Sequence, residues 1–168
     1  IDGLGVSLIY ENGNLIRALT RGDGYTGEDI THNIKTINAI PMTLRGKNYP
    51  NFLEIRGEIF MLKSDFTSLN EVRYRNDEKL FANARNAAAG SVRQLNPHIT
   101  AKRNLSIFCY ELGASKGLDT NTHWDMLSYL KSIGLPVNPL AKKMDSIDSM
   151  ISYHRDLEHR RENLSLIH

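Results

Sequence analysis

Residues 53–61 read Leu-Glu-Ile-Arg-Gly-Glu-Ile-Phe-Met, and apolar side chains alternate with charged ones along most of this run. Alternate residues of a β-strand point to opposite faces of the sheet, so the pattern predicts a strand with one apolar and one largely charged face. The charged face would carry Glu54, Arg56 and Glu58. Two carboxylates beside an arginine can bind a metal ion and a sugar hydroxyl, but the spacing alone favours a solvent-exposed ion pair.

The segments on either side of this strand predict its partners. Strand-like runs at residues 6–10 and 15–20 flank an Asn-Gly turn and predict a β-hairpin, and a further strand is predicted near residues 105–112. Helices are predicted over residues 28–37, 64–75 and 86–95, from residue 122 to residue 134, and from about residue 146 onwards. Because hairpin connections dominate, the sequence predicts a single α+β domain, residues 1–168, with mainly antiparallel sheets and packed helices.

Helix ends and buried faces are also predicted. Ser64 and Thr122 are residue types that cap helix N-termini, and Gly134 is of the type that ends a helix. The last helix is predicted to bury four apolar side chains, which are Ile147, Met150, Ile151 and Leu157.

The composition is that of a globular domain, since 40% of the 168 residues are hydrophobic and no apolar run approaches the ~18 residues of a membrane span. The single cysteine, Cys109, lies in an apolar strand-like run, which indicates a buried, inert thiol. The histidines are scattered, so zinc is not indicated. A net charge of +2 is too small to indicate nucleic-acid binding, but residues 71–103 carry seven basic and three acidic side chains. This local excess supports phosphate binding only if the arginines converge.

Residues 81–91 read Phe-Ala-Asn-Ala-Arg-Asn-Ala-Ala-Ala-Gly-Ser and predict a helix of unusually small side chains. Small side chains let backbone amides approach a phosphate. Arg85 and Arg93 are eight residues apart, so they lie near one helix face if both are helical. Guanidinium groups suit bidentate phosphate contacts, although two exposed arginines without a ligand are the more common situation.

Two further stretches are candidate binding elements. Residues 20–29 read Thr-Arg-Gly-Asp-Gly-Tyr-Thr-Gly-Glu-Asp, and their glycines allow a close backbone approach to a ligand. This loop is not a P-loop, because no Gly-Lys-Ser/Thr ends it. Tyr110 ends an apolar strand, where core or edge packing is the simplest interpretation.

Taken together, these stretches closely resemble the adenylation (nucleotidyltransferase) domain of bacterial NAD⁺-dependent DNA ligases. The resemblance rests on Ile1-Asp2-Gly3, on Thr-Arg-Gly-Asp-Gly at residues 20–24, on Glu-x-Arg-Gly-Glu at residues 54–58, and on Asn-x-Arg-Asn-Ala-Ala-Ala-Gly-Ser-x-Arg-Gln-Leu at residues 83–95. It runs nearly end to end and implies an ATP-grasp-like nucleotidyltransferase core. The implied parent reaction has three steps: lysine adenylation by NAD⁺, AMP transfer to a 5′-phosphate, and attack by the 3′-hydroxyl that seals a nick in duplex DNA.

The resemblance also implies a role for individual residues. Asp2 would lie by the ribose, Arg21 would face the adenylate ribose and phosphate, and Glu58 would contact the ribose or a Mg²⁺ ion. Tyr110 would stack on adenine. Arg85 and Arg93 would meet the nucleotide phosphate and the nicked DNA, and Arg161 would precede the next nucleotide-binding strand. The position of Arg161 requires one deletion between Tyr110 and His123, so it matches less directly than the others.

The family's first motif is Lys-x-Asp-Gly, and its nucleophilic lysine would stand immediately before Ile1. The family's C-terminal Asp-Gly-x-x-x-Lys strand is likewise not matched, and the parent's zinc would lie outside this chain. We therefore expect a partial adenylation domain that cannot adenylate itself, and an AMP adduct found by intact mass would contradict this. The resemblance further implies a cytoplasmic, nucleoid-associated and monomeric protein with no membrane association.

Two alternatives stay open on the sequence. The first is an ATP-dependent DNA or RNA ligase or an mRNA-capping enzyme, although these are not expected to carry the Asn-Ala-Arg-Asn-Ala-Ala-Ala-Gly-Ser run. The second is a non-catalytic module that binds AMP or nicked DNA through the arginines.

Overall fold

The computed structural model describes residues 1–22, 26–115, 118 and 120–160. The described residues form four strands and six helices, in the following chain order: β1 (Leu4–Glu11), β2 (Asn14–Thr20), α1 (Thr31–Ile34), β3 (Phe52–Met61), α2 (Lys63–Arg75), α3 (Ala84–Val92), α4 (Pro97–Ala101), β4 (Leu105–Ser115), α5 (His123–Ser132) and α6 (Ile147–Arg160). None of the helices in these described ranges is long and apolar enough to cross a membrane.

The described strands form one antiparallel sheet in the order β2-β1-β3-β4. The β1–β2 hairpin turns at Asn12 and Gly13, whose φ angles of 49° and 77° lie in the left-handed region that an Asn-Gly turn supplies. The predicted hairpin and the predicted α+β class with antiparallel pairing are therefore confirmed.

The core lies on one face of this sheet. In β3, Leu53, Ile55 and Ile59 have no exposed surface, whereas Arg56 on the alternate face is exposed. The predicted alternation is thus confirmed. Removing a leucine or isoleucine side chain from water contributes roughly 1.5–3 kcal/mol, so this apolar row is a main source of stability. On the opposite, more open face Phe60 is also buried, against Phe108, but Glu54, Arg56 and Glu58 are at least partly exposed and belong to the candidate site.

Helix α3 packs closely on β3 because its inward side chains are small. Ala84, Ala87 and Ala88 have no exposed surface. The helix begins two residues earlier and ends three residues earlier than predicted. The Asn83 side chain accepts a hydrogen bond from the Asn86 amide at 2.8 Å and caps its N-terminus. Arg93 is consequently the C-cap residue and not a helical one.

Two other predicted helix boundaries are wrong. The helix expected over residues 28–37 forms only at α1, because Asp29 pairs with β2 and accepts hydrogen bonds from the Thr31 amide and hydroxyl. Ser64 is not a cap either, since α2 begins one residue before it and follows Leu62. The predicted Thr122 cap on α5 is confirmed, because its hydroxyl accepts a hydrogen bond from the Asp125 amide at 3.1 Å.

The predicted burial of α6 is wrong. Ile147, Met150 and Ile151 are 74%, 58% and 45% exposed, and none of the described residues of this helix is buried. Its apolar stripe satisfies the helical periodicity, but the described elements do not pack against it. The helix is attached to the domain through Tyr153, whose hydroxyl donates to the Leu140 carbonyl at 2.6 Å.

Candidate functional site

The candidate site begins at Gly5, on the open face of the sheet. Gly5 pairs with Glu58 across β1 and β3, and the Arg21 amide donates to the Gly5 carbonyl at 2.9 Å. A Cβ atom at residue 5 would lie 3.5 Å from both the Arg21 side chain and Glu58 Oε2. The guanidinium-bearing side chain of Arg21 and the carboxylate of Glu58 therefore converge in the space that a side chain at Gly5 would occupy.

Glu58 is oriented by the start of the chain. The Gly3 amide donates to Glu58 Oε1 at 3.1 Å. A Cβ atom at Gly3 would overlap the Ile59 carbonyl oxygen, so glycine is needed for residue 3 to lie flat against β3. This contact fixes one carboxylate oxygen of Glu58, while Oε2 is the oxygen nearer to Gly5 and Arg21.

Tyr110 completes the group from β4. Burial raises the pKa of its phenol, the Glu58 carboxylate raises it further, and the Arg21 guanidinium opposes the shift. The phenol is therefore within the electrostatic influence of both charged groups. Tyr110 also lines two cavities of about 340 and 370 Å³. The first cavity includes Arg21 in its wall, and the second includes Glu58 and Ile1, so an aromatic ring borders both spaces.

Glu54 stabilises an irregularity in β4 beside the first cavity. The register slips where Leu53 pairs with Ser115 and Ile55 with Leu112, so β4 carries an extra residue opposite Glu54. Glu54 Oε2 accepts a hydrogen bond from the Ala114 amide at 3.2 Å, and Oε1 accepts one from the Ser7 hydroxyl at 2.9 Å. The carboxylate thus provides an acceptor for a bulge amide and lies 3.8 Å from Arg56 Nε.

The two arginines of the small-residue segment each pair with a carboxylate. Arg85 Nη1 donates to Asp2 Oδ1 at 3.2 Å, which joins the start of α3 to the start of the chain. Arg93 Nε lies 2.7 Å from Glu28 Oε2, which joins the end of α3 to the loop after β2. Helix α3 is therefore connected by an ion pair at each end to segments that flank the open face.

The donor set for a metal ion is small. The described residues contain no group of three or more His, Cys, Asp and Glu side chains that could hold a metal ion. Glu58 Oε1 already accepts the Gly3 amide, so Oε2 is the more available oxygen for a metal ion. Mg²⁺ commonly binds through one or two carboxylates together with substrate phosphates, and this arrangement fits only that mode of binding.

Comparison with known families agrees with this geometry. The family model described as NAD-dependent DNA ligase adenylation domain matches residues 1–167. The chain belongs to this family. In this NAD-dependent DNA ligase adenylation domain, Arg21, Glu58 and Tyr110 lie at the cavities described above.

Within this ligase domain, the structure groups most of the predicted site residues. It brings together Arg21, Glu58 and Tyr110, and it pairs Asp2 with Arg85. Arg93 lines a different cavity, of about 500 Å³, near the loop after β2. Arg161 lies outside the described residues.

Sequence reasoning missed two residues of this adenylation domain, Ser7 and Glu28. Small residues alternate along β1 and just before it, at Gly3, Gly5 and Ser7. This pattern is a signal for an open, ligand-facing strand and could have identified Ser7. No local pattern distinguishes Glu28 from other loop carboxylates. The prediction for Cys109 is confirmed, since it is buried and its burial raises the thiol pKa to about 12.

Proposed function

We propose that this chain is the nucleotidyltransferase core of an NAD⁺-dependent DNA ligase and that it binds the adenylate half of NAD⁺ on the open face of the sheet. The observation that carries the proposal is that Arg21 and Glu58 converge on Gly5, while Tyr110 shares the wall of one cavity with Arg21 and of another with Glu58. Adenylate needs an aromatic surface for its base, an acceptor for its sugar hydroxyls and a cation for its phosphate. These three side chains supply one of each.

The assigned positions follow from the chemistry of each group. The half-buried ring of Tyr110 stacks on adenine, because stacking needs an accessible face and a partly dry surrounding. Glu58, held through one oxygen by Gly3, accepts a hydrogen bond from a ribose hydroxyl with the other. Arg21 neutralises the α-phosphate. Bound Mg²⁺ would share Glu58 with the ribose and screen the charge of the phosphates.

The nucleophile of this chemistry is a lysine that the resemblance places immediately before Ile1. Ile1 lines the cavity of about 370 Å³ together with Glu58 and Tyr110. A residue directly before it would have its Cα only ~3.8 Å away and would lie at the edge of the proposed site. Its amine would attack the α-phosphorus of NAD⁺, forming a nitrogen–phosphorus bond and releasing nicotinamide mononucleotide.

Nicked DNA would then approach along the arginines of α3. We propose that Arg85 holds Asp2 beside the nucleotide and that Arg93 contacts a phosphate of the nicked strand. Arg93 is suited to this role because its side chain is 48% exposed and lines a cavity of about 500 Å³. AMP transfer to the 5′-phosphate and attack by the 3′-hydroxyl complete the proposed reaction.

Calorimetric titration of the chain with AMP and with NAD⁺ tests the nucleotide site. We expect Tyr110→Ala to weaken AMP binding roughly tenfold, because stacking of a base on an aromatic ring contributes ~1–3 kcal/mol. Tyr74→Ala is the matched control, since Tyr74 is 74% exposed on α2 and should leave the affinity unchanged. Absence of AMP binding by the unmodified chain, or equal affinities of the two variants, would contradict the proposal.

A further inference from the structure

The ion pair between Glu28 and Arg93 joins the loop after β2 to the end of α3. Its closest approach, 2.7 Å, is made by Arg93 Nε and not by a terminal nitrogen. Arg93 follows the last helical residue of α3, and its amide donates to the Ala89 carbonyl at 3.1 Å. The backbone of Arg93 is therefore fixed by the helix, and its guanidinium lies against the Glu28 carboxylate as an ion pair.

Glu28 is itself anchored to the sheet. Its amide donates to the Thr20 hydroxyl at 2.9 Å, and its carbonyl accepts from the Thr20 amide at 3.0 Å. Thr20 is 3% exposed and is the last residue of β2, directly before Arg21. The backbone of Glu28, whose carboxylate contacts Arg93, is thus hydrogen-bonded to the residue that directly precedes Arg21.

The ion pair has little to contribute to stability. The two side chains are 48% and 64% exposed, and pairs of this kind are weakened by solvent and salt. A guanidinium that meets a carboxylate at its Nε side still has both terminal nitrogens with which to form a forked contact to a phosphate. The contact also reduces the number of rotamers open to a long side chain, which lowers the entropy lost on binding.

A cavity of about 500 Å³ lies beside this pair, between the loop after β2 and the turn after α3. Its wall is formed by Glu28, Asp29, Ile30, His32, Asn33, Arg93, Gln94, Leu95 and Pro97. Leu95 is fully exposed at the rim of this cavity, so the wall is reachable from solvent. The space is of a size that admits a sugar-phosphate unit.

We propose that Glu28 is a positioning residue, whose charge keeps the guanidinium of Arg93 beside it so that the terminal nitrogens meet a phosphate of the nicked strand. This inference rests on the proposed function, because it requires Arg93 to contact DNA. It predicts the direction in which DNA affinity changes when the Glu28 carboxylate is removed. By charge alone, removal of a carboxylate near a polyanion strengthens binding, whereas loss of a positioning contact weakens it.

The test is fluorescence anisotropy of the chain with a nicked duplex that carries a 5′-phosphate, over a series of salt concentrations. We expect Arg93→Gln to weaken binding about tenfold and to lower the slope of log affinity against log salt by about one, as expected for loss of one charged phosphate contact. Glu28→Gln should weaken binding about threefold or more, on the view that a misplaced arginine retains part of its contact. In the Arg93→Gln background, Glu28→Gln should no longer weaken binding.

The matched control is Glu11→Gln, which removes an exposed carboxylate at the hairpin end of β1. It should leave binding unchanged or strengthen it slightly. Circular dichroism spectra should show that all variants are folded. Glu28 is not a positioning residue if Glu28→Gln strengthens binding as the control does, or if it weakens binding as much in the Arg93→Gln background as in the unmodified chain. In either case the proposed function stands. If the unmodified chain does not bind the duplex, DNA binding and this inference both fail.

Discussion

Thr100 offers the sharpest test of how the site helix is held. Its side chain has no exposed surface; its hydroxyl donates to the Ser91 carbonyl at 2.8 Å and accepts from Asn33 Nδ2 at 2.8 Å. The carbonyls in the last turn of a helix have no partner within the helix, and Ser91 lies in the last turn of α3. Thr100 therefore supplies a C-terminal cap to the helix that carries Arg85 and precedes Arg93.

Thr100→Val keeps the shape of the side chain and removes the hydroxyl. The Ser91 carbonyl and one N–H of Asn33 would then lose their partner, and Asn33 would keep its second bond, to the Gln94 carbonyl at 2.8 Å. Each buried polar group left unpaired costs about 1–3 kcal/mol, so the free energy of unfolding should fall by roughly 2–5 kcal/mol. A domain of this kind has only about 5–15 kcal/mol in total, so the loss is a large fraction of its stability.

Urea unfolding followed by far-ultraviolet circular dichroism measures this loss. With a slope of ~2 kcal/mol per molar urea, the midpoint should fall by roughly 1–2.5 M. Thr67→Val is the matched control, because the Thr67 hydroxyl donates to the Lys63 carbonyl at an exposed position of α2. The control should change stability by about 0.5 kcal/mol or less. Equal midpoints for the two variants would refute the argument that Thr100 caps α3.

Two further predictions concern the sheet beneath the site. The folded pKa of Cys109, about 12, lies above its ordinary value of 9.0, so its stabilising contribution is complete below pH 9.0 and is lost as the pH rises toward 12. At pH 8 its thiol should react with a thiol-specific reagent only on unfolding in urea; fast reaction of the native chain would contradict this. Gly3→Ala should cost about 1–3 kcal/mol in urea unfolding, because its Cβ overlaps the Ile59 carbonyl. It should also weaken AMP binding by displacing Glu58, and a variant with unchanged stability would disprove the close approach.

Strands and turns were predictable because their signals are local. The alternation at residues 53–61 and the Asn-Gly turn specify a strand and a hairpin whatever surrounds them. The Thr122 cap is equally local, since it requires only the amide of a residue three positions later. Helix ends that depend on neighbouring elements were less predictable. Asp29 is held in a β-bridge to Leu19, which prevents the helix expected from residue 28 from beginning there.

Burial of a helix face is not a local property. The apolar residues of α6 recur with helical periodicity and share one face, yet Ile147, Met150 and Ile151 are exposed. Periodicity states which side chains share a face, but only the packed elements decide whether that face meets the core.

For the candidate site, the sequence by itself determined which chemical groups are available, whereas the need for glycine at residue 3 follows from its contact with Ile59 in the sheet. The motifs place arginines, carboxylates and an aromatic ring along the chain, and they identify the ligase family that the family model also matches. Only the tertiary structure decided which of these groups meet. Asp2 and Arg85 are 83 residues apart in sequence and form an ion pair because α3 packs across the start of β1. Glu28 and Arg93 meet because Thr20 holds one loop while α3 ends beside it. Such contacts arise from the packing of distant elements, and no spacing within a single motif encodes them.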